Sequence, residues 1–287
     1  MLARIFIAFQ YLLPKHLVTT LLYRVTRIRH IGIKNLLITK FINLYNVNID
    51  EIKLSVPDDF DTFNDFFARE LYDNARTIDN SENSIISPVD GTVSFAGKIK
   101  NGSIFQAKRI NYSLDDLLAT DLEQANAYIN GTFATIYLAP YNYHRIHAPL
   151  KGNLIAARYV PGDLFSVNPA TVERVKGLFH RNERLVMHLK TAHGPIVLIF
   201  VGALNVGSIS TPWTGQIRPR KHGVVDVLDL SRHPSSLKKG DLLGWFNMGS
   251  TVIMLMSEGI CEWNKNMQPG ESLRMGEAIG QLFYTEK

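Results

Sequence analysis

The sequence predicts an α+β fold, in which N-terminal amphipathic helices precede a mostly antiparallel β core. Apolar residues in the first 45 positions recur at helical spacing, whereas β-branched and aromatic runs bounded by Gly, Pro and Asn dominate after residue 80. Short phrases of sequence also repeat within the β region. With 287 residues and 46% hydrophobic composition, the chain can bury a full core.

The first 50 residues are predicted to form three short helices. Residues 1–13 are apolar apart from Arg4 and Gln10, and Pro14 ends this stretch. A membrane span needs about 20 apolar residues, so the stretch is too short to cross a bilayer. It also lacks the small-residue cleavage site of a signal peptide, and we expect it to remain in the mature protein.

Positive charge is concentrated in this segment. Residues 1–50 carry seven Lys and Arg and one Asp, a net charge of +6, whereas the whole chain carries +5. Basic amphipathic helices of this kind lie on anionic lipid surfaces. The alternative is a helical hairpin packed on its own domain. The local charge favours a membrane-associating segment over residues 1–50, followed by a catalytic β-rich domain over residues 51–287.

The remaining elements are predicted from composition and from Gly, Pro and Asn positions. An aromatic helix is expected at 61–69, with Asp61 or Thr62 as its N-cap. Short helices are expected at 114–120 and 169–178. Strands are expected in seven runs, at 85–93, 127–129, 132–138, 155–160, 184–189, 196–202 and 251–256.

Two pairs of sequence phrases repeat within the β region. Residues 236–244 and 272–280 share the pattern Ser-Leu-basic-x-Gly-acidic-x-aliphatic-Gly, and residues 87–93 are echoed by 148–154. Repeats of a turn and a strand indicate approximate two-fold symmetry. These phrases resemble those of barrel-sandwich hybrid folds, the family of lipoyl and biotinyl carriers, which supports a fold and no function.

Cysteine usage limits the chemistry. Cys261 is the single cysteine, so an intrachain disulfide and a cysteine-rich metal site are excluded. A reducing compartment fits this composition. Since Cys261 follows an apolar run, we expect it to be a buried packing residue.

The stretch Met248-Gly249-Ser250-Thr251 is the candidate reactive site. Gly-Ser-Thr is an ordinary turn sequence in many proteins. It is also a backbone that can rearrange when the serine hydroxyl attacks the preceding carbonyl, because glycine tolerates strained dihedral angles and has no side chain to obstruct the attack. Such a reaction needs a base.

Two histidines, His144 and His147, are candidates for that base, either on one helical turn or splayed along a loop. Asp90 precedes a glycine and alone would be a turn residue. Together with a histidine and Ser250, however, it could form the orienter, base and nucleophile of a triad. A zinc site with Asp90 as third ligand is the alternative, although His-x-x-His lacks the acid of a metallopeptidase helix.

Six motifs follow one another along the chain: Ser87-Pro-Val-Asp-Gly91, Tyr143-His-Arg-Ile-His-Ala-Pro149, Tyr159-Val-Pro-Gly-Asp-Leu-Phe-Ser-Val-Asn168, Asn182-Glu-Arg184, Val201-Gly-Ala203 and Gly249-Ser-Thr251. This ordered series resembles the phosphatidylserine decarboxylases of the bacterial, membrane-associated type. The resemblance runs from about the first helix to the last strand. Met248 stands where leucine is usual, which conserves volume.

The resemblance implies that His147, oriented by Asp90, deprotonates Ser250, whose oxygen attacks the Gly249 carbonyl. β-Elimination would release a large chain, 1–249, and leave a small chain, 250–287, whose first residue becomes a pyruvoyl group with loss of ammonia. Phosphatidylserine would form a Schiff base with this group and lose carbon dioxide, after which His144 would protonate the product. The implied cofactor is the pyruvoyl group from Ser250, without metal or pyridoxal phosphate.

Several further expectations follow from the resemblance. The partners are phosphatidylserine and an anionic phospholipid membrane, with the two chains forming a heterodimer and a dimer of heterodimers compatible with it; nucleic acid is not a partner. The location is peripheral, on the cytoplasmic face of the inner membrane. Headgroup or acyl contacts are expected from Tyr137, Tyr141, Phe165, Ser166 and Asn168, for which strand packing and loop hydrogen bonding are the alternative.

Two other functions remain open. A serine hydrolase could use Asp90, His147 and Ser250 without self-cleavage, although the chain has no Gly-x-Ser-x-Gly elbow around Ser250. A non-enzymatic hybrid-fold module could bind lipid through its helical segment. The first predicts one intact chain inhibited by serine-directed reagents, and the second predicts that Ser250→Ala and His144→Ala leave lipid binding unaltered.

Overall fold

A computed structural model describes residues 2–107, 110–119, 125–204 and 207–283, to which all structural statements refer. The described helices are α1 (Leu2–Leu12), α2 (Lys15–Val25), α3 (Ile31–Tyr45), α4 (Phe63–Phe67), α5 (Leu114–Leu118), α6 (Pro169–Val172) and α7 (Leu178–Arg181). The first three confirm the predicted N-terminal helices.

The described strands follow the helical segment. They are β1 (Ser84–Ile86), β2 (Gly91–Lys98), β3 (Ser103–Ala107), β4 (Ile110–Ser113), β5 (Thr132–Leu138), β6 (Arg145–His147), β7 (Gly152–Val160), β8 (Arg184–Thr191), β9 (Gly194–Val201), β10 (Ile209–Thr211), β11 (Gly215–Ile217), β12 (Asp226–Val227), β13 (Ser236–Leu237), β14 (Leu242–Phe246), β15 (Ser250–Met256), β16 (Cys261–Trp263), β17 (Ser272–Leu273) and β18 (Ala278–Leu282). All their pairings are antiparallel.

The largest sheet is built around β15. Its order is β12-β7-β8-β9-β15-β5-β2-β17, with β13 also pairing with β7. β15 pairs along its whole length with β5, from Ser250↔Leu138 to Met256↔Thr132. On its other edge it pairs with β9, from Thr251↔Val201 to Met256↔Ile196. Every residue of β15 is buried, as its continuous apolar sequence predicts.

Smaller sheets complete the β region. One has the order β11-β10-β14-β6, another has the order β1-β18-β16, and β3 pairs with β4 as a hairpin. The α+β class is therefore confirmed, and the sheets form a sandwich-like arrangement without a closed barrel among the described strands.

The repeated phrases occupy matching places. In one copy, Gly240 N–H donates to Ala148 O and Ala148 N–H donates to Asp241 O; in the other, Gly276 N–H donates to Ser87 O and Ser87 N–H donates to Glu277 O. Both turn glycines have positive φ, 89° and 94°, which favours glycine. These matched contacts agree with the approximate two-fold symmetry that the sequence indicates. We call residues 236–244 and 272–280 the repeated turns.

A satellite cluster joins the helical segment to the β region. It contains Ile38 of α3 and the aromatic side chains Phe63, Phe66 and Phe67 of α4. Met248 packs against both this cluster and the main core. Thr62 is the N-cap of α4, since its Oγ1 accepts from Asp65 N–H at 3.2 Å, which decides the choice between Asp61 and Thr62.

α1 and α2 have one docked face and one exposed face. The Gln10 side chain is fully buried. It donates to Thr171 Oγ1 at 3.1 Å and accepts from Ser166 N–H at 2.8 Å. Lys15 pairs with Asp163 at 3.1 Å. No single described helix has the length and composition of a membrane span, and only α1 with α2, bent by 89°, passes that test together.

Four sequence expectations were inaccurate. The strand expected at 85–93 is two strands, β1 and β2, because residues 88–90 form a bend between them. Residues 127–129 form a turn instead of a strand, because the i→i+3 bonds from Tyr128 N–H to Ala125 O and from Gly131 N–H to Tyr128 O replace ladder bonds. The helix expected at 169–178 is divided into α6 and α7, and Gly177, whose φ is 63°, is the N-cap of α7. The sequence also did not predict β6, the strand that carries the histidine motif.

Candidate active site

The strand register brings the candidate residues to one end of the large sheet. Ser250 is paired with Leu138, and the next row joins Thr251 to Tyr137 and Tyr137 to Thr92. Asp90 precedes β2 at this end. His147 is fixed nearby, because its N–H donates to Pro88 O at 2.8 Å.

The chain just before the Gly249–Ser250 peptide is anchored through Asn247. Asn247 donates from Nδ2 to Ser208 Oγ at 2.8 Å and to Ser210 Oγ at 3.0 Å. Ser250 is fully buried, and its Oγ has no hydrogen-bond partner among the described residues. A buried hydroxyl without a partner costs free energy; Thr251 Oγ1 shares this property, so the Ser250 hydroxyl stands out because it also follows Gly249 beside His144.

His144 lies beside the glycine side of this peptide. Its Nε2 would be 3.9 Å from a Cβ placed on Gly249, and within the described structure that nitrogen has no hydrogen-bond partner. Its Nδ1 lies 2.8 Å from Asn142 O, so Nδ1 carries the hydrogen. Burial, followed by the Arg69 charge, lowers the pKa of His144 to about 3. The ring is therefore neutral near neutral pH, with Nε2 available as a base.

Arg69 fixes the loop that carries His144. Its guanidinium donates to Tyr141 O at 2.8 Å and to Asn142 O at 3.2 Å. Burial lowers the pKa of Arg69 to about 10, but it stays protonated at neutral pH. Sequence reasoning missed Arg69, because an arginine ending an aromatic helix carries no local sign of this long-range contact.

His147 is held by different groups. Its Nδ1 lies 2.7 Å from Gly240 O, and its Nε2 lies 3.0 Å from the Tyr143 hydroxyl. A carbonyl can only accept, so Nδ1 donates and Nε2 accepts from Tyr143. Burial lowers the pKa of His147, and the Asp90 charge acts in the opposite direction. The ring is thus oriented as a neutral base in the uncleaved chain.

Asp90 is fixed by three donors. Arg76 donates from Nε at 2.9 Å and from Nη2 at 2.5 Å, and Met275 N–H donates at 2.8 Å. Arg76 also pairs with Glu51 at 2.9 Å. Burial lowers the pKa of Arg76, but its bonds to Asp90 and Glu51 outweigh this and raise it overall. The sequence did not point to Arg76, which lies in a loop without a motif.

Each repeated turn therefore holds one candidate residue. The turn at 236–244 binds His147 through Gly240 O, and the turn at 272–280 binds Asp90 through Met275 N–H. The side chains of Asp90, His147 and Ser250 share no hydrogen bond among the described contacts. Orientation of His147 by Asp90, and deprotonation of Ser250 by His147, thus stay predictions for a rearranged state.

The predicted substrate contacts differ in their surroundings. Tyr141 is exposed and Tyr137 is partly buried in β5. Phe165 is fully buried under Tyr11 of α1, with ring centroids 5.0 Å apart. Ser166 N–H is bound by Gln10, and Asn168 Oδ1 accepts from Thr171 N–H as the N-cap of α6. Substrate contact by these five residues stays a prediction.

The site fits a group derived from Ser250. Two buried polar atoms without partners, Ser250 Oγ and His144 Nε2, flank a peptide whose first residue has no side chain. Across the part of the chain that the structure describes, no group of three or more His, Cys, Asp or Glu could hold a metal ion. Cys261 is buried, and burial raises the pKa of its thiol to about 12.

Comparisons with known proteins match the same region. A family model described as Phosphatidylserine decarboxylase matches residues 63–281, and a second, described as PSD, matches residues 5–46. The phosphatidylserine decarboxylase proenzyme of Saccharophagus degradans is 45% identical over 280 residues, with 97% of each chain covered. That of Alcanivorax borkumensis is 44% identical over 278 residues, with 96% of each chain covered. That of Hahella chejuensis is 42% identical over 284 residues, 98% of this chain and 95% of the relative.

Proposed function

This chain belongs to the phosphatidylserine decarboxylase family, and we propose that Ser250 is the residue at which it performs the family's reaction. It decarboxylates phosphatidylserine to phosphatidylethanolamine, using a pyruvoyl group formed by self-cleavage of a proenzyme. One observation carries the assignment to Ser250: its buried, partner-free Oγ follows a glycine that faces His144 Nε2.

Maturation begins when Ser250 Oγ attacks the Gly249 carbonyl carbon and converts the amide to an ester. His147 takes the hydroxyl proton, for which its Nε2 exchanges the Tyr143 hydroxyl for that of Ser250. The Asp90 carboxylate, held by Arg76 and Met275, stabilises the imidazolium that forms. The proton held by His147 passes to the Ser250 nitrogen as the amide bond breaks. β-Elimination then transfers the Ser250 α-proton to a base, frees the Gly249 carboxylate and leaves a dehydroalanine, which hydrolyses with loss of ammonia.

Decarboxylation uses the same pocket. When present, the pyruvoyl group supplies an electrophilic carbonyl and accepts the electrons released as carbon dioxide leaves. His144 Nε2 is unprotonated, so it can take a proton from the substrate ammonium and return one to the product's α-carbon. Arg69 keeps this nitrogen in place by fixing the Asn142 carbonyl.

Intact mass of the purified protein tests the proposal. We expect two chains, 1–249 and 250–287, with the small chain lacking a free amine and reacting with a hydrazide probe. Ser250→Ala should give one chain without decarboxylase activity, and Ser257→Ala, on a partly buried serine after β15, should be processed normally. A folded wild-type chain that stays intact and is inhibited by serine-directed reagents would identify a hydrolase instead.

The exposed face of the N-terminal helices supports membrane attachment. Large apolar side chains are exposed on α1, α2 and α3: Ile5, Phe9, Leu12, Leu17, Leu21, Ile31, Leu36 and Leu44. We propose that residues 1–50 place the chain peripherally on the cytoplasmic face of the inner membrane, with residues 51–287 as the catalytic domain. Each nearby Lys or Arg contributes about 1 kcal/mol on an anionic surface.

Flotation with liposomes tests this attachment. We expect the chain to float with vesicles containing anionic lipid at low salt and to dissociate at high salt, because salt screens the charges. Leu12→Glu with Leu17→Glu should abolish flotation, whereas Lys151→Glu, on an exposed residue outside the helices, should not. Flotation of the double variant equal to wild type would exclude this surface.

The two chains are proposed to form a heterodimer. β15, which begins the small chain, keeps its neighbours β5 and β9 in the large chain after cleavage. Light scattering of the purified enzyme measures the mass of the assembly and shows whether two heterodimers associate.

A further inference from the structure

Glu183 is a buried acid outside the reaction described so far. It is almost fully buried. Its Oε2 accepts from the Tyr159 hydroxyl at 2.6 Å, whereas its Oε1 has no partner within the described residues. Burying a carboxyl oxygen without a hydrogen-bond partner costs free energy, so its presence in a folded protein calls for an explanation.

The strand register places Glu183 on the same row as Ser250. Gly202 N–H donates to Glu183 O at 2.9 Å, which continues the β8–β9 ladder by one residue beyond Arg184↔Val201. The β9–β15 ladder ends at Thr251↔Val201, and continuing its register by one residue sets Gly202 opposite Ser250. Residues opposite each other in antiparallel strands point to the same face. Glu183, Gly202 and Ser250 therefore share one face of the sheet.

Because Gly202 has no side chain, the Glu183 carboxyl group can occupy the space above it. A Cβ on Gly202 would lie 2.5 Å from Glu183 Oε1 and 2.6 Å from its Cγ. The carboxyl group thus lies over Gly202, in the position that a side chain there would occupy. Opposed Cβ atoms are about 4.5–5.5 Å apart, so this position is next to the Ser250 side chain. His144, in contrast, faces the Gly249 side of the peptide.

We propose that Glu183 is a further catalytic residue of maturation, which delivers the proton that the Ser250 side-chain carbon gains when dehydroalanine becomes a methyl ketone. The inference rests on the proposed cleavage at Ser250. After β-elimination, the enamine C=C electrons take the carboxyl proton, giving a methyl group and an iminium. Water adds to the iminium carbon, ammonia leaves, and the Glu183 carboxylate regains a proton from water.

The ionisation of Glu183 suits this role. Burial raises its pKa to about 7, and the hydrogen bond from Tyr159 acts in the opposite direction. Arg220 is the charged residue beside this pair. Its guanidinium lies 5.1 Å from the Tyr159 ring centroid, and its backbone N–H donates to the Tyr159 hydroxyl. A carboxyl group with this pKa keeps a protonated fraction near neutral pH and can donate.

Timed processing of the Glu183→Gln variant tests the proposal, with cleavage followed on denaturing gels and ketone formation by hydrazide labelling of the small chain. We expect the variant to cleave at the wild-type rate and its small chain to be labelled about a hundredfold more slowly than that of wild type. Mass spectrometry should then show that a small chain still bearing its amine accumulates. Glu173→Gln, on an exposed glutamate, should behave as wild type. Labelling that keeps pace with cleavage, or a folded variant that does not cleave, would overturn the proposal.

A second measurement does not depend on folding of that variant. In the wild-type protein, the rate of labelling after cleavage should fall as pH rises through about 7, because the acid form of Glu183 is the donor. A rate that is constant or rises across this range contradicts the role. If wild type neither cleaves nor labels, the proposed function fails; if it does both and Glu183→Gln matches it, only this inference fails.

Discussion

His144 and His147 are three residues apart but have different environments. His144 immediately precedes β6, and His147 is the last residue of that strand. His144 has an unpartnered Nε2 beside Gly249, whereas both ring nitrogens of His147 are engaged by Gly240 and Tyr143. At the residue scale, one histidine is ready for a substrate and the other must change partners before it reacts.

Variants of the two histidines should therefore have different effects on cleavage and on turnover. His147→Ala and Asp90→Ala should accumulate the uncleaved chain, because they remove the base and the group that stabilises its charged form. His144→Ala should still cleave but lose about 10²-fold or more in turnover. Gel analysis and decarboxylase assays of the same preparations measure both. Cleavage blocked by His144→Ala alone would show that the roles are reversed.

Buried histidines should also make the uncleaved chain sensitive to acid. Burial lowers the pKa of His144 to about 3 and that of His188 to about 4, from 6.5. As pH falls below 6.5, the unfolded chain binds protons that the folded chain does not. The free energy of unfolding should then fall by roughly 1.4 kcal/mol per pH unit for each histidine.

Urea unfolding of the Ser250→Ala chain at several pH values measures this slope. Replacing His188 with Gln should reduce it, because one of the histidines with a lowered pKa no longer titrates. His233→Gln, at an exposed histidine, serves as the matched control. An identical slope in the His188 and His233 variants would contradict the argument.

At the element scale, α1 supports the loop at 163–168 and is also part of the proposed lipid-binding surface. Gln10, the polar residue in an otherwise apolar part of the helix, holds Ser166 N–H and Thr171 Oγ1. Tyr11 covers Phe165, whose ring also lies 4.1 Å from Lys15 Nζ. Docking of the helix thus orders a loop that belongs to the predicted substrate contacts.

Gln10→Leu should release this loop. Ser166 N–H loses its acceptor and Thr171 loses a donor, so we expect a loss of about 1–3 kcal/mol locally. Amide hydrogen exchange at Ser166 should accelerate, while processing at Ser250 should continue. Thr20→Ala is the control, since that hydroxyl bonds only to His16 O in its own helix. Unchanged exchange at Ser166 would show that the helix does not order the loop.

The helices and the long buried strands could be predicted from sequence, whereas the short strands and much of the site could not. Continuous apolar runs such as 251–256 identify buried strands, and the motif at Gly249-Ser250 indicates the proposed reactive bond. Arg69 and Arg76 could not be found in this way, and the motif Asn182-Glu-Arg184 contains Glu183 without indicating what its side chain does. Arg76 binds Asp90, 14 positions away, and Arg69 binds Asn142, 73 positions away. Glu183 occupies the space that Gly202, on a neighbouring strand, leaves by having no side chain. Neither kind of relation leaves a local sequence pattern.

At the scale of the whole molecule, the proposed cleavage site lies at the start of a central strand. β15 is buried along its length and forms ladders with β5 and β9. We expect the two chains to copurify in native buffer and to separate only in denaturant. Gel filtration with and without urea measures this. A small chain that elutes alone from the native column would contradict the central position of β15.

Cleavage changes what the repeated turns connect. The turn at 236–244 stays in the large chain, whereas the turn at 272–280, which binds Asp90 through Met275 N–H, passes to the small chain. The repeat that holds Asp90 is then divided between two polypeptides, whereas the repeat that holds His147 stays in the large chain, so assembly of the Asp90 site becomes a bimolecular event. Refolding of the Ser250→Ala chain should be independent of protein concentration. The matured enzyme, once its chains are separated, should regain its fold at a rate set by their encounter.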